Sequence, residues 1–309
     1  MQKRVLCVGA AVLDTIFRVH ELPKGEGKIL PSQMVQIAEG MAASAAYAIV
    51  RLGGSASLWG AVGTDETGKR IRGDLARDGI DVSEMTIVAG APSAISTILL
   101  DDRGDRLIVP FYDTRLHATL PPVTRAEIGR FNAVLVDVRW PALALEVLKL
   151  AREAGIPAIL DGDVAQVEIL ERLAHAADYI IFSEPAARAL CDLREESELV
   201  RTLAARFPHA LVCVTFGPGG AYWQDLRSQT LFHQPALPIV PVDTLAAGDA
   251  FHGAFALGIA EGLDVGNAVR LGSVAAALKC TVFGGRVGMP SRAEAEAALQ
   301  QLAPCNVYV

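Results

Sequence analysis

Residues 242–255 read VDTLAAGDAFHGAF. An apolar stretch ending at Val242 predicts a strand, and a helix is expected to begin near Ala247–Gly248. A tight turn that opens a helix aims unpaired backbone N–H groups and the positive end of the helix dipole at one point. The small residues Ala246, Ala247 and Gly248 let an anion approach that backbone closely. Asp249, in the first helical turn, suits a carboxylate that takes the proton of a hydroxyl as a phosphoryl group arrives. A first-turn acid is also favoured by the dipole alone, so both readings stay open. His252 lies three residues on, near the same helical face, where it fits either a ligand contact or simple packing.

Apolar, β-branched runs are the elements that must position these groups. Strands are expected at Val5–Val8, Ser57–Ala61, Ala133–Val136, Ala158–Leu160, Tyr179–Phe182 and Leu211–Thr215. Helix-period segments at Ala42–Leu52, Gly68–Asp78, Ala142–Ala154 and Glu196–Arg206 lie between several of them. Such alternation predicts a parallel sheet with helices on both faces, and ligands bind beyond the carboxyl ends of its strands. That rule singles out Asp14, Asp137 to Arg139, Asp161 and Asp163 in LDGD, Ser183–Glu184, and Thr215 to Gly220. A helix cap for Ser183 and turn roles for the LDGD acids are the structural alternatives. Two segments lack a covering helix: about 15–40, with LPKGEGK, and about 93–112, a hairpin turning at Gly104. They are expected to form a small β-sheet lid within a single domain spanning residues 1–309. Helix is expected over Ala250–Leu278 and again over Ser291–Leu302.

With 309 residues, 51% of them hydrophobic, the chain can bury a large core. No apolar run approaches the ~20 residues needed to span a bilayer. The net charge of −7 and the lack of a Lys/Arg cluster argue against nucleic-acid binding. Five scattered cysteines with no ligand spacing fit a reduced, cytoplasmic protein without structural zinc.

DTLAAGDAFHGAF resembles the C-terminal signature of the ribokinase-like (PfkB) sugar kinases, D-T-x-[GA]-A-G-D. VGAAVLD, the stretch AEGMAASAAYAIVRLGGSASLWGAVGTDETG and VTFGPGGAYW resemble that family's other marks, in the family's order. The resemblance implies a mostly parallel central sheet with a β-sheet lid, ATP and Mg²⁺ as cofactors, and a small-molecule sugar as substrate. Asp249 would be general base, and the backbone of Ala246, Ala247 and Gly248 would steady the transferred phosphate. Asp14 and Gly40 would hold sugar hydroxyls, and Thr215, Gly217 and Gly220 would line the nucleotide loop. Asp243, with carbonyls near Leu245 and in the 282–288 loop, would bind a monovalent cation, K⁺. Two departures stand out. Ser44 replaces the usual Asn, which alters a sugar contact. Ser183-Glu184-Pro185-Ala186 replaces the N-x-x-E motif, leaving Glu184 as a displaced substitute and Asp161 and Asp163 as candidates for water-mediated Mg²⁺ contacts.

VLVDVRW, LDGD, FSEP and ALKCTVFGGRVGMP resemble the sulfofructose kinase branch. This implies an anionic ketose such as 6-deoxy-6-sulfofructose, with Arg139 and Lys28 as sulfonate ligands; a guanidinium fork and an ammonium suit three acceptor oxygens. Pro110, at the hairpin end, stands where that branch would carry an amide. Trp140, beside Arg139, is a candidate wall of the sugar pocket. The alternatives are a ribokinase, fructokinase or 2-keto-3-deoxygluconate kinase, or a non-catalytic sugar sensor on the same scaffold. The apolar lid face, with Ile95, Thr97, Leu99 and Ile108, predicts a homodimer through the lid.

Overall fold

Along the first strand, β1 (Arg4–Val8), every side chain after Arg4 is buried, and successive residues enter opposite cores. Val5 and Cys7 join one hydrophobic cluster, while Leu6 and Val8 join the other, as the two-residue strand period requires. A strand buried on both faces belongs inside a sheet covered on both sides. The structure, a computed structural model, describes residues 2–308.

The other strands are β2 (Val12–Arg18), β3 (Gln33–Glu39), β4 (Ser55–Trp59), β5 (Ala61–Gly63), β6 (Thr86–Val88), β7 (Ile95–Leu100), β8 (Arg106–Phe111), β9 (Ala133–Val136), β10 (Ala158–Gly162), β11 (Tyr179–Ser183), β12 (Leu211–Thr215), β13 (Ala221–Gln224), β14 (Leu231–Gln234) and β15 (Asn306–Tyr308). The helices are α1 (Met41–Arg51), α2 (Glu66–Arg77), α3 (Arg125–Ile128), α4 (Pro141–Ala154), α5 (Val167–Ala174), α6 (Glu184–Leu190), α7 (Glu196–Arg206), α8 (Ala247–Glu261), α9 (Val265–Lys279) and α10 (Arg292–Leu299).

The main sheet has nine strands in the order β15-β14-β13-β12-β11-β10-β9-β1-β4. Its strands from β12 to β4 pair in parallel, and β13, β14 and β15 add an antiparallel edge. Residues of α1, α2, α8, α9 and α10 fill the core on one face, and those of α4 to α7 fill the other. Helix α8 is buried from Ala250 to Ala260, a stretch that is apolar apart from His252. Among the described residues no helix is long and apolar enough to cross a membrane.

The lid is a second sheet in the order β3-β2-β7-β8. Its register sets Asp14 beside Ser96, and Ser96 opposite Pro110, on one face. Ile16 and Ile98 lie on that same face and pack on Leu245, in the loop before α8. On the outer face Ile95 pairs with Phe111 and Thr97 with Val109, all four exposed. Ile108 pairs with Ile98 instead, so it sits on the inner face, contrary to expectation.

Several elements differ from the sequence reading. Asp14 does not follow the first strand; it lies within β2, a lid strand. Residues 235–246 form no strand, so Val242 ends none. The expected helix Ala250–Leu278 divides at Gly262, whose φ is 87°, and restarts at Asp264, which caps Asn267 N at 2.9 Å. The edge strands β13, β14 and β15 and the short helices α3, α5 and α6 add to the expected set; each is brief and only partly apolar.

Candidate active site

Helix α8 begins under strain. Its N-cap, Ala246, takes a left-handed conformation with φ 56°, one of two such non-glycine residues among those described. The first helical bond runs from Ala250 N to Ala246 O at 2.9 Å, which leaves the amides of Gly248 and Asp249 facing outward at the helix start. The helix start expected from the sequence is therefore present, with Asp249 in its first turn and amides free to face an anion.

Five other acids, Asp14, Glu39, Asp137, Asp161 and Asp163, crowd toward Asp249. Burial raises its carboxyl well above the usual range, and the charges of Glu39, Asp163, Asp137 and Asp14 raise it further. Asp161, buried at the end of β10, is raised in the same direction by burial and then by Asp249, Asp163 and Asp137, with Arg139 opposing. Asp14 is pushed up to about 7 by burial and by Glu39, partly offset by the neighbouring Ser96 hydroxyl. Such shifts gather where charged groups are held for chemistry. Ser96 Oγ is buried and makes no well-formed hydrogen bond of its own. Tyr112, just past β8, is raised to about 12 by burial; Arg139 opposes this, while Asp14, Asp137 and Asp249 add to it. The end of the lid hairpin thus overlies the cleft.

Asp137 is a structural hub. Its carboxylate accepts from Ala10 N at 2.8 Å, Ala42 N at 3.1 Å and Arg139 N at 2.7 Å, pinning the start of α1 to the ends of β1 and β9. Gly40 caps α1 with φ 106°, and a Cβ there would lie 2.5 Å from the Ala10 carbonyl oxygen. Ser44 is fully buried, and its hydroxyl donates to Glu39 Oε2 at 2.7 Å. It buttresses Glu39 rather than presenting a hydroxyl to a sugar, which corrects the expected contact. Glu39 also accepts from Arg286 N at 2.7 Å.

Arg139 is bound at both ends of its fork: Nη2 to Asp163 Oδ2 at 3.0 Å and Nη1 to the Val164 carbonyl at 3.1 Å. Asp163 also accepts from Ser183 Oγ at 3.1 Å. Ser183 caps α6, and Glu184 pairs with Arg188 at 2.8 Å along that helix. Glu184 is therefore engaged with Arg188 within α6. Asp161 lies 3.4 Å from His252 Nε2, while the other ring nitrogen, Nδ1, bonds the Gly248 carbonyl at 2.7 Å. His252 is thus a packed residue, its charge disfavoured by burial. Lys28 is exposed in the loop between β2 and β3, without an ion pair among the described residues. Trp140 is buried and stacks on His117 at 4.8 Å, so it belongs to the core and not to a pocket wall.

Beside the start of α8 opens a cavity of about 460 Å³. Thr215, Gly217 and Gly220 line one side, Ala247 and Gly248 the floor, and Leu237 and Phe251 give it an apolar wall. Gly220 has φ 86°, and a side chain there would collide with the Gln234 carbonyl. The volume and mixed lining suit a nucleotide base and sugar, with its phosphates directed at the helix start. The expected nucleotide-loop residues thus adjoin the expected anion site.

The model of the pfkB family carbohydrate kinases matches residues 2–292. The chain belongs to that family. Among curated relatives, this PfkB kinase is 30% identical over 300 residues to the ribokinase of Bacillus subtilis, covering 96% of this chain and 99% of that one. It is also 30% identical over 275 residues to a Klebsiella pneumoniae fructokinase, covering 84% and 85%. Among solved structures, one from Agrobacterium tumefaciens, provisionally described as a ribokinase, is 60% identical with a TM-score of 0.96 over 97% of this chain and 98% of that one. The Arabidopsis thaliana ribokinase complexed with ribose and ATP shares the fold at 23% identity, with a TM-score of 0.82 over 97% and 99%. The protein is an ATP-dependent sugar kinase of the ribokinase type.

Sequence reasoning missed Glu39, Ser96 and Lys279. Glu39 carried a faint signal, an acid immediately before the glycine that opens α1. Ser96 gave none until the register set it beside Asp14.

Proposed function

We propose that this kinase transfers the ATP γ-phosphoryl group to a hydroxyl of an anionic sugar, with a sulfonated ketohexose such as 6-deoxy-6-sulfofructose as the favoured member. The supporting observation is Arg139: it follows a sheet strand at the ligand-binding edge and stands among the acids Asp14, Asp137 and Asp249 that surround Tyr112. Asp163 and the Val164 carbonyl hold its guanidinium in one orientation and leave its remaining N–H donors for an anion. Lys28 on the lid adds a second cation on closure.

Asp249 is the proposed base and the amides at the start of α8 the proposed charge stabiliser. Its carboxyl, raised by burial and by neighbouring acids, is a stronger base than an ordinary carboxylate. Asp14, Ser96 and Gly40 form the polar side of the sugar pocket. Thr215, Gly217 and Gly220 receive the nucleotide. Mg²⁺, when bound with ATP, neutralises charge developing on the phosphates. Asp163 would hold it through water, since two bonds leave acceptor sites on its carboxylate, with Asp161, 3.4 Å from His252 Nε2, as the second candidate. The outer lid face, with Met34, Ile95, Val109 and Phe111 exposed, is proposed to pair with a second copy. Five free cysteines accord with a reducing, cytoplasmic setting.

The second reading is a neutral substrate, ribose or fructose, in line with the ribokinase and fructokinase relatives. A coupled ADP-release assay over neutral, carboxylated and sulfonated sugars separates the two. Arg139→Ala is expected to lower kcat/KM for the anionic sugar by about 10²- to 10⁴-fold, and for fructose by far less. Equal efficiency on fructose or ribose and on every anionic sugar would reject the anionic reading and leave the kinase assignment intact.

A further inference from the structure

Lys279, the last residue of α9, is completely buried. A buried ammonium is costly unless acceptors surround it. Its Nζ donates to the Asp243 carbonyl at 2.7 Å and lies 3.5 Å from Asp243 Oδ2. Backbone amides hold the rest of that carboxylate: Oδ1 accepts from Leu245 N at 2.8 Å, and Oδ2 from Gly284 N and Gly285 N at 2.9 Å each. The next residue reinforces the tie, since the Cys280 carbonyl accepts from Val242 N at 2.7 Å and Asp243 N at 3.1 Å.

The family resemblance puts a monovalent cation on Asp243 and nearby carbonyls. The donor set does not fit one. The Asp243 carbonyl already accepts from Lys279, and both carboxylate oxygens face N–H donors. A metal cation on these oxygens would stand against an ammonium of the same sign in a site with little water to screen it.

We infer that Lys279 is a permanent internal replacement for the monovalent cation, and that this kinase works without potassium. The ammonium fixes Asp243, Asp243 fixes the Leu245 amide, and that turn sets the left-handed Ala246 from which α8 starts. The positive charge behind the turn also supports an anion arriving at the free amides of α8. Lys279 touches no substrate in this scheme; it is a positioning residue. Its place at the negative end of α9 favours its charge. Burial lowers its pKa, and Asp243, Cys280 and Glu39 work to keep it protonated.

The test has two arms. In the first, turnover is measured on the best sugar of the panel above, with potassium replaced by tetramethylammonium at constant ionic strength. The expected change for the unmodified enzyme is less than about twofold, because no potassium site is coupled to catalysis. Lys279→Met is expected to lose about 10- to 100-fold in kcat with ATP affinity largely kept, the scale of a lost charge-stabilising group. Lys279→Ala, which frees the volume of the stem, is expected to lose as much and to regain part of it on addition of potassium or methylammonium. A purely structural role would not produce that rescue. The second arm does not depend on the sugar: crystals soaked in rubidium chloride should show no anomalous peak at Asp243 in the unmodified enzyme and a peak there in Lys279→Ala. Should the variants fail to fold, the measurements on the unmodified enzyme still decide. Potassium activation of about tenfold or more, rubidium on the Asp243 oxygens of the unmodified enzyme, or full potassium-free turnover by Lys279→Met would each overturn the inference.

Discussion

Replacing Asp14 by Asn should make the protein more stable at alkaline pH while it weakens the kinase. The folded chain holds the Asp14 carboxyl near 7 against an ordinary value of 3.8, through burial and the charge of Glu39. A carboxyl raised in this way keeps its proton in the folded state after the unfolded chain has lost it. Between the two values, stability therefore falls as pH rises. At about 1.4 kcal/mol per unit, the full cost of ionising Asp14 in place is about 4 kcal/mol, reached only above neutral pH. Part of it is already present near pH 5, so the change between about pH 5 and pH 8 amounts to roughly 2–3 kcal/mol. Asn has the same shape and no charge, so the variant lacks that slope. The assay is urea unfolding of both proteins at the two pH values, and the quantity read is the stability of the variant minus that of the parent. It should grow by roughly 2–3 kcal/mol in favour of the variant on going to pH 8, whatever constant offset the lost hydrogen bonding introduces. A difference that stays flat within about 0.5 kcal/mol would refute the reasoning, because it would mean that Asp14 ionises in the cleft at no cost.

Asp249→Asn should reduce kcat by about 10²- to 10⁴-fold, the usual worth of a positioned base, and leave the thermal shift produced by ATP nearly unchanged; near-parental turnover would remove Asp249 from that role. In the parent enzyme the acid limb of the kcat profile should sit well above the ordinary carboxylate range, since burial and four neighbouring acids favour the protonated, inactive base; an acid limb near pH 4 would count against this assignment. Val109→Asp together with Phe111→Lys places charges on the exposed outer lid face and should give a monomer by sedimentation where the parent sediments as a dimer; a monomeric parent would reject the lid interface.

Short-range periodicity and capping are legible in the residues by themselves. Apolar, β-branched runs marked the six parallel strands of the main sheet, and the small-residue turn before Asp249 marked the start of α8. A turn-and-cap geometry depends on residues within one or two turns of each other, so it is legible in a dozen letters. The tertiary structure decided who faces whom. Asp14 and Ser96 meet only because β2 and β7 pair in one register, and a slip of one residue would place them on opposite faces of the sheet. Ser44, read as a sugar ligand, is turned to Glu39, and Glu184, read as a substitute acid, is held by Arg188 along its own helix. The charge on Asp243 is answered by Lys279, 36 residues away at the end of another helix. Nothing in local spacing announces such partners. They follow from how crossovers stack helices on a sheet, and from the rule that a buried charge must find a partner wherever the fold brings one.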